Sequence, residues 1–189
     1  ADTFTAKELD YVESVLKDDF NHALINQYEK HVVVVKTAEE MSYQNLEKAR
    51  KSGAKIASDL NGAKVESVEV SGAKTDSAYL VAIAEGIALS NYQFLKYFKD
   101  ADKKRNTLSN INILSEALSE QTVSELIAGV EANSWAKDMV NEPLSFLTAT
   151  ELANQIVEKT TPLGVKVEVL DQLKIETLKM GGLLAVNQG

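Results

Sequence analysis

A chain of 189 residues has room for one complete hydrophobic core, or for one domain and part of another. Its 44% hydrophobic and 25% charged content is that of a water-soluble globular protein, and no apolar run reaches the roughly eighteen residues a membrane span needs. The formal net charge of -8 repels phosphate backbones, and no dense Lys/Arg cluster with interleaved aromatics offsets it, which argues against nucleic acid as a partner.

Cysteine is absent, so disulfides and thiolate metal sites are excluded, a composition that suits a cytoplasmic protein. The chain opens at Ala1 without an initiator Met and without the basic and apolar segments of a signal peptide. At the other end, Leu183 to Val186 reads as an apolar strand running into Gln188 and Gly189, as if cut from something longer.

Thr5 to Asp18 puts Leu9, Val12, Val15 and Leu16 on one face of a helix, with Thr5 and Glu8 spaced as a capping box. The β-branched run Val32 to Val35, within His31 to Lys36, predicts a strand buried on both faces, as in a parallel or mixed sheet. Ser42 to Leu60 has helical spacing through Leu46, Ala49, Ile56 and Leu60, stopped by Asn61-Gly62, although Gly53 weakens it. Val65 to Val70 alternates as a half-exposed strand, and Asp76 can cap a long helix to about Lys99 carrying Leu80, Ile83, Ile87, Phe94 and Phe98.

Leu108 to Leu114 predicts a further strand, with Ile111 and Ile113 on one face. Thr122 to about Val140 returns to helical spacing and is ended by Asn141-Glu142-Pro143. Thr148 or Thr150 caps a helix through Leu152, Ile156 and Val157, closed by Pro162 and Gly164. Val165 to Leu170 as a strand, Gln172 to Met180 as a helix and Leu183 to Val186 as a strand form a strand-helix-strand unit. Alternating strands and helices define an α/β fold, with a boundary in the helix that starts near Thr122.

No constellation of residues carries chemistry by itself. His22 and His31 match no zinc-site spacing and read as ordinary histidines. The carboxylate pairs Asp18-Asp19, Glu39-Glu40 and Asp100 with Asp102 fall at element ends, where solvated faces account for them. Ser71-Gly72-Ala73-Lys74-Thr75 lies between a strand and a helix but lacks the glycines of a P-loop or a dinucleotide fingerprint. No Gly-x-Ser-x-Gly elbow is present. No catalytic, cofactor-binding or metal residue is therefore assigned.

Three stretches resemble the leucyl aminopeptidase (cytosol aminopeptidase) family. They are Glu85-Gly86-Ile87-Ala88-Leu89-Ser90-Asn91-Tyr92-Gln93-Phe94-Leu95-Lys96-Tyr97; Ala136-Lys137-Asp138-Met139-Val140-Asn141-Glu142-Pro143 with Leu147-Thr148 and Leu152-Ala153; and Leu178 through Gly189 with its Gly181-Gly182 pair. The resemblance implies a macro-domain-like mixed sheet flanked by helices over residues 1–120, a connecting helix over 121–141, and the truncated start of a catalytic peptidase domain over 142–189. It also implies a cytoplasmic, hexameric, two-metal enzyme using zinc or manganese and acting on peptides; the lack of a long apolar run is the reason no membrane partner is expected.

The family's metal ligands lie in a Gly-Lys-Gly segment followed by Asp and in an Asn-Thr-Asp-Ala-Glu-Gly-Arg segment, neither of which occurs in this sequence. The expectation is therefore an inactive N-terminal portion, with Asn141, Glu142 and Pro143 shaping the domain junction. The competing expectation is a stand-alone α/β binding or assembly module without peptidase activity.

Overall fold

The computed structural model describes residues 4–72 and 75–186. Its chain divides into two compact units, Ala1–Asp138 and Met139–Gly189. The first contains α1 (Ala6–Val15), β1 (His22–Asn26), β2 (His31–Val35), α2 (Tyr43–Gly62), β3 (Ser67–Ser71), α3 (Ser77–Ser90), α4 (Ala101–Lys104) and β4 (Asn110–Leu114). Helix α5 (Glu120–Asn141) carries the chain across the division. In the second unit, α6 (Ala149–Thr160) is followed by a 3-10 turn at Thr161–Leu163, α7 (Gln172–Thr177) and α8 (Gly181–Val186).

The capping box at Thr5 forms as read. The Thr5 backbone N–H donates to Glu8 Oε2 at 2.6 Å, and the Glu8 N–H donates to Thr5 Oγ1 at 3.4 Å. These bonds to the ionised form hold the Glu8 carboxyl below its ordinary value, the Thr5 backbone bond contributing most. Helix α1 ends at Val15, three residues earlier than the apolar spacing suggested.

Strand β1 was not foreseen, because His22 to Asn26 has only three apolar residues between polar neighbours. It pairs antiparallel with β2. The turn between them holds Tyr28 at φ 64 while its N–H donates to Asn26 Oδ1 at 2.8 Å. The expectation of a β2 buried on both faces is corrected: all five of its residues are half-buried. Burial on both faces needs neighbours above, below and on each side, and among the described residues β2 has a paired strand on one side only.

The core lies where α2 meets α3. Ala49, Ile56, Ala57 and Leu60 of α2 are buried with Tyr79, Leu80, Ile83 and Ile87 of α3. Gly53 explains itself here. A Cβ at Gly53 would strike the Ile83 carbonyl oxygen, and one at Gly86 would strike the carbonyl oxygen of Arg50. The two helices thus meet backbone to backbone at a reciprocal pair of glycines, an approach no other residue permits. Arg50 Nε donates to Glu85 Oε2 at 2.5 Å beside this contact. The bond to Glu85 strengthens the guanidinium's hold on its proton, raising its pKa despite partial burial.

Helix α3 stops at Ser90, not near Lys99. Asn91 redirects the chain: its Nδ2 donates to the Leu108 carbonyl at 2.7 Å, and its Oδ1 accepts from Asn61 Nδ2 at 2.9 Å and Asn106 Nδ2 at 3.0 Å. A side chain satisfied this fully by three residues on two distant segments competes with the next helical turn and wins.

Strands β3 and β4 pair in parallel with Val68 opposite Ile111 and Val70 opposite Ile113, and these four side chains pack on the α2–α3 core. The class is α/β with small sheets, but the mixed sheet is divided into two separate pairs, β1–β2 and β3–β4.

The second unit corrects two strands. Val165 to Leu170 carries no regular structure, and Leu183 to Val186 belongs to α8. A strand satisfies its backbone only through a ladder partner, whereas a helical turn satisfies it locally, so an apolar run without a partner strand coils. The helices themselves are well punctuated. Thr148 Oγ1 accepts from the Glu151 N–H at 3.2 Å, Asp171 Oδ1 accepts from the Lys174 N–H at 2.9 Å, and Gly164 ends the 3-10 turn at φ 80.

Candidate functional site

The residues weighed from sequence are dispersed. His22, at the start of β1, sits against α2 with Nε2 2.7 Å from Asp59 Oδ2, a contact that ties hairpin to helix. His31 lies at the start of β2, beside the gap between β2 and β3. Asp19 pairs with Lys36 at 3.1 Å, Asp100 with Lys104 at 3.6 Å and Asp102 with Arg105 at 3.6 Å. Glu40 enters through its backbone: its carbonyl accepts the Tyr79 hydroxyl at 2.6 Å. Burial pushes the Tyr79 phenol above its ordinary value.

Among the described residues, no three His, Asp or Glu side chains converge on a point where a metal ion would sit. Of the turn Ser71 to Thr75, Ala73 and Lys74 lie outside the described residues. Among the described residues no helix is long and apolar enough to cross a membrane.

Two of the three sequence stretches that carry the resemblance meet in space. Tyr92, just past α3, donates its hydroxyl to Asp138 Oδ1 of α5 at 2.8 Å. Lys137 places Nζ 5.0 Å from the centre of the Tyr92 ring and donates to the Leu89 carbonyl at 3.1 Å. One aromatic ring therefore receives a cation on its face and presents its hydroxyl to the next residue's carboxylate, clamping α5 to the end of α3. Sequence reading noted Tyr92, Lys137 and Asp138 as motif residues but had no means of pairing them, since 46 positions separate Tyr92 from Asp138. Beyond this clamp, the chain leaves α5 at Pro143, whose carbonyl accepts from the N–H groups of Phe146 and Leu147, both at 2.9 Å.

Comparison with known proteins connects this arrangement to one class. A tomato leucine aminopeptidase mutant superposes on 92% of this chain and 37% of its own with a TM-score of 0.68 at 18% identity. The bottromycin maturation enzyme BotP, solved in complex with Mn, superposes on 94% of this chain and 38% of its own, also with a TM-score of 0.68, at 17% identity. At such identities the likeness establishes a shared α/β fold and nothing more.

Sequence takes the assignment further. Residues 22–101 match the N-terminal domain of the cytosol aminopeptidase family, and residues 134–189 match that family's catalytic domain. A probable cytosol aminopeptidase of Wolbachia pipientis wMel is 32% identical over 167 residues, 85% of this chain and 32% of the relative. The cytosol aminopeptidase of Rickettsia prowazekii is 38% identical over 122 residues, 61% of this chain and 24% of the relative. The chain belongs to the cytosol aminopeptidase family, carrying its N-terminal domain and part of its catalytic domain. It spans about a quarter to a third of the length of these curated relatives.

Proposed function

We propose that these 189 residues form the N-terminal, non-catalytic portion of a metal-dependent leucyl aminopeptidase, whose whole form removes N-terminal residues from peptides. The observation that carries the reading is the order of the two family matches, the N-terminal domain over 22–101 and the catalytic domain over 134–189. In this reading residues 1–120 are the macro-like domain, 121–141 the connecting helix, and 142–189 the opening of the peptidase domain. The Tyr92, Lys137 and Asp138 clamp supports a fixed seat for the connecting helix on the first domain.

The whole enzyme would use two divalent ions, zinc or manganese, to lower the pKa of an attacking water and to stabilise the developing oxyanion. The Mn complex of BotP supports metal dependence for a protein of this fold. Neither the Gly-Lys-Gly segment nor the Asn-Thr-Asp-Ala-Glu-Gly-Arg segment that the resemblance requires for those ions occurs here. Assembly as a hexamer and residence in the cytoplasm belong to the same proposal, the latter supported by the naming of its relatives as cytosol aminopeptidases.

The test is direct hydrolysis of leucine p-nitroanilide by the purified chain with added manganese or zinc. No turnover above the metal blank is expected. Sustained, metal-dependent release of the chromophore would overturn the non-catalytic assignment.

A further inference from the structure

Asn61-Gly62 is the only Asn-Gly pair in the sequence, and its glycine has no packing or conformational task in the fold. Gly62 is the exposed last residue of α2, and a Cβ built on it would meet nothing within 4 Å among the described residues. The left-handed turn that takes the chain out of the helix falls on Lys64, at φ 61. A glycine in such a place weakens a helix relative to alanine.

Asn61 is, by contrast, half-buried and tied to three elements. Its Nδ2 donates to the Ala57 carbonyl and to Asn91 Oδ1, both at 2.9 Å, and its Oδ1 accepts from the Leu108 N–H at 3.1 Å. Its own carbonyl accepts from the Lys64 N–H at 3.1 Å. One amide side chain therefore joins the end of α2 to the end of α3 and to the run into β4.

An asparagine followed by glycine is open to attack by the next backbone nitrogen, because glycine has no Cβ to obstruct the ring that forms. The Gly62 nitrogen, having lost its proton to water, would bond to Asn61 Cγ; the Cγ–Nδ2 bond breaks, ammonia leaves, and a succinimide ring closes. Water then opens the ring at either carbonyl, leaving aspartate or isoaspartate. The folded chain opposes this step twice. Gly62 is helical, so its N–H belongs to the ladder of α2. The bond to Ala57, one turn back, holds the Asn61 side chain toward the start of the helix and away from the Gly62 nitrogen.

We propose that Asn61-Gly62 is a modification site gated by folding: it is locked while α2, α3 and the run into β4 are joined, and it deamidates once that junction opens. The change is one-way for the fold. A carboxylate at position 61 only accepts, so it faces the Ala57 carbonyl and Asn91 Oδ1 with negative charge where Asn61 donates to both. Asn91 cannot turn its amide to compensate without giving up its bonds to the Leu108 carbonyl and to Asn106. Isoaspartate also adds a carbon to the main chain within the last turn of α2. Unfolding that outlasts this step becomes irreversible.

The test holds the purified chain in buffer or in concentrated urea at mildly alkaline pH. Conversion of residue 61 is followed by peptide mass mapping, with hydroxylamine cleavage between Asn61 and Gly62 marking the succinimide. Conversion in urea should be at least roughly tenfold faster than in buffer, and the converted fraction should not regain native fluorescence on dilution. Gly62→Ala, whose methyl group the fold accommodates, should slow conversion in urea about tenfold and preserve refolding over the same period. Asn61→Asp, made directly, should lower the urea midpoint of the folded chain. Equal conversion in buffer and urea would overturn the lock. Full refolding of converted chain, loss of refolding in Gly62→Ala at the parent's pace, or an unchanged midpoint in Asn61→Asp would overturn the one-way consequence. None of these readouts involves peptide hydrolysis, so their outcome does not decide the proposed function.

Discussion

The contact between α2 and α3 and the stretch from Met139 to Val186 have comparable apolar content in sequence and opposite fates in structure. Around Gly53 and Gly86, side chains such as Ala49, Leu60 and Ile87 are 2% exposed or less. Among the described residues after Asp138 none is buried, and Val140, Leu144 and Leu163 each keep more than three-quarters of their surface. Helix caps are present in both. What separates them is whether a second element arrives close enough to exclude water, so capping defines a helix and packing decides its stability.

The largest effect is expected from attacking that approach. Gly53→Val places a branched side chain where even a Cβ meets backbone, and should destabilise the first unit by about 3 kcal/mol. Urea unfolding followed by tryptophan and tyrosine fluorescence measures it, and an unchanged midpoint would refute the backbone-to-backbone reading. Tyr79→Phe removes the hydroxyl that donates to the Glu40 carbonyl and should cost about 1 to 1.5 kcal/mol at neutral pH.

Tyr79 also gives the first unit a pH signature. Its folded-state pKa lies above the ordinary 10.0, so the folded chain retains a proton that the unfolded chain releases. Stability from this source is complete below pH 10 and is lost as pH rises above it. Unfolding midpoints measured from pH 8 to 11 should fall less steeply in Tyr79→Phe than in the parent; parallel curves would show that Tyr79 titrates normally.

In the second unit, Thr148→Ala should remove about 1 kcal/mol of local helix stability. With no buried residue to transmit it, the loss should appear as reduced helical circular dichroism and leave the main unfolding midpoint in place. A matching drop in that midpoint would mean the two regions unfold together. The smallest change is expected for Gly129→Ala, within α5, where an added Cβ meets nothing within 4 Å. It should stabilise the helix by about 0.5 to 1 kcal/mol, opposite in sign to Gly53→Val.

The same contrast explains what could be read from sequence. Helices α2, α5 and α6 were legible because periodicity and caps are local properties, and Thr5, Ser42 and Thr148 all perform as caps. Strand β2 was legible from its valines, but its partner β1 was not, since pairing is a relation between segments. The early end of α3 rests on Asn91 bonding to residues 17 positions onward and 30 back, which no local window contains. Expected strands after Gly164 failed for the same reason, an apolar run being ambiguous until a partner is at hand. At the candidate site, the family motifs identified Tyr92, Lys137 and Asp138 as worth notice, and only the fold revealed that they touch.

The glycine crossing has one further consequence. Most helix contacts tolerate drift because side chains can change rotamer and fill a shifted gap. At Gly53 and Gly86 the facing surfaces are peptide groups, with Arg50 and Glu85 joined beside them. Neither surface can adjust, so sliding or rolling of α3 along α2 would separate the ion pair and drive a carbonyl into the neighbouring chain. The junction behaves as an indexing pin: it fixes the position of α3 along α2, and with it the point from which Tyr92 reaches α5.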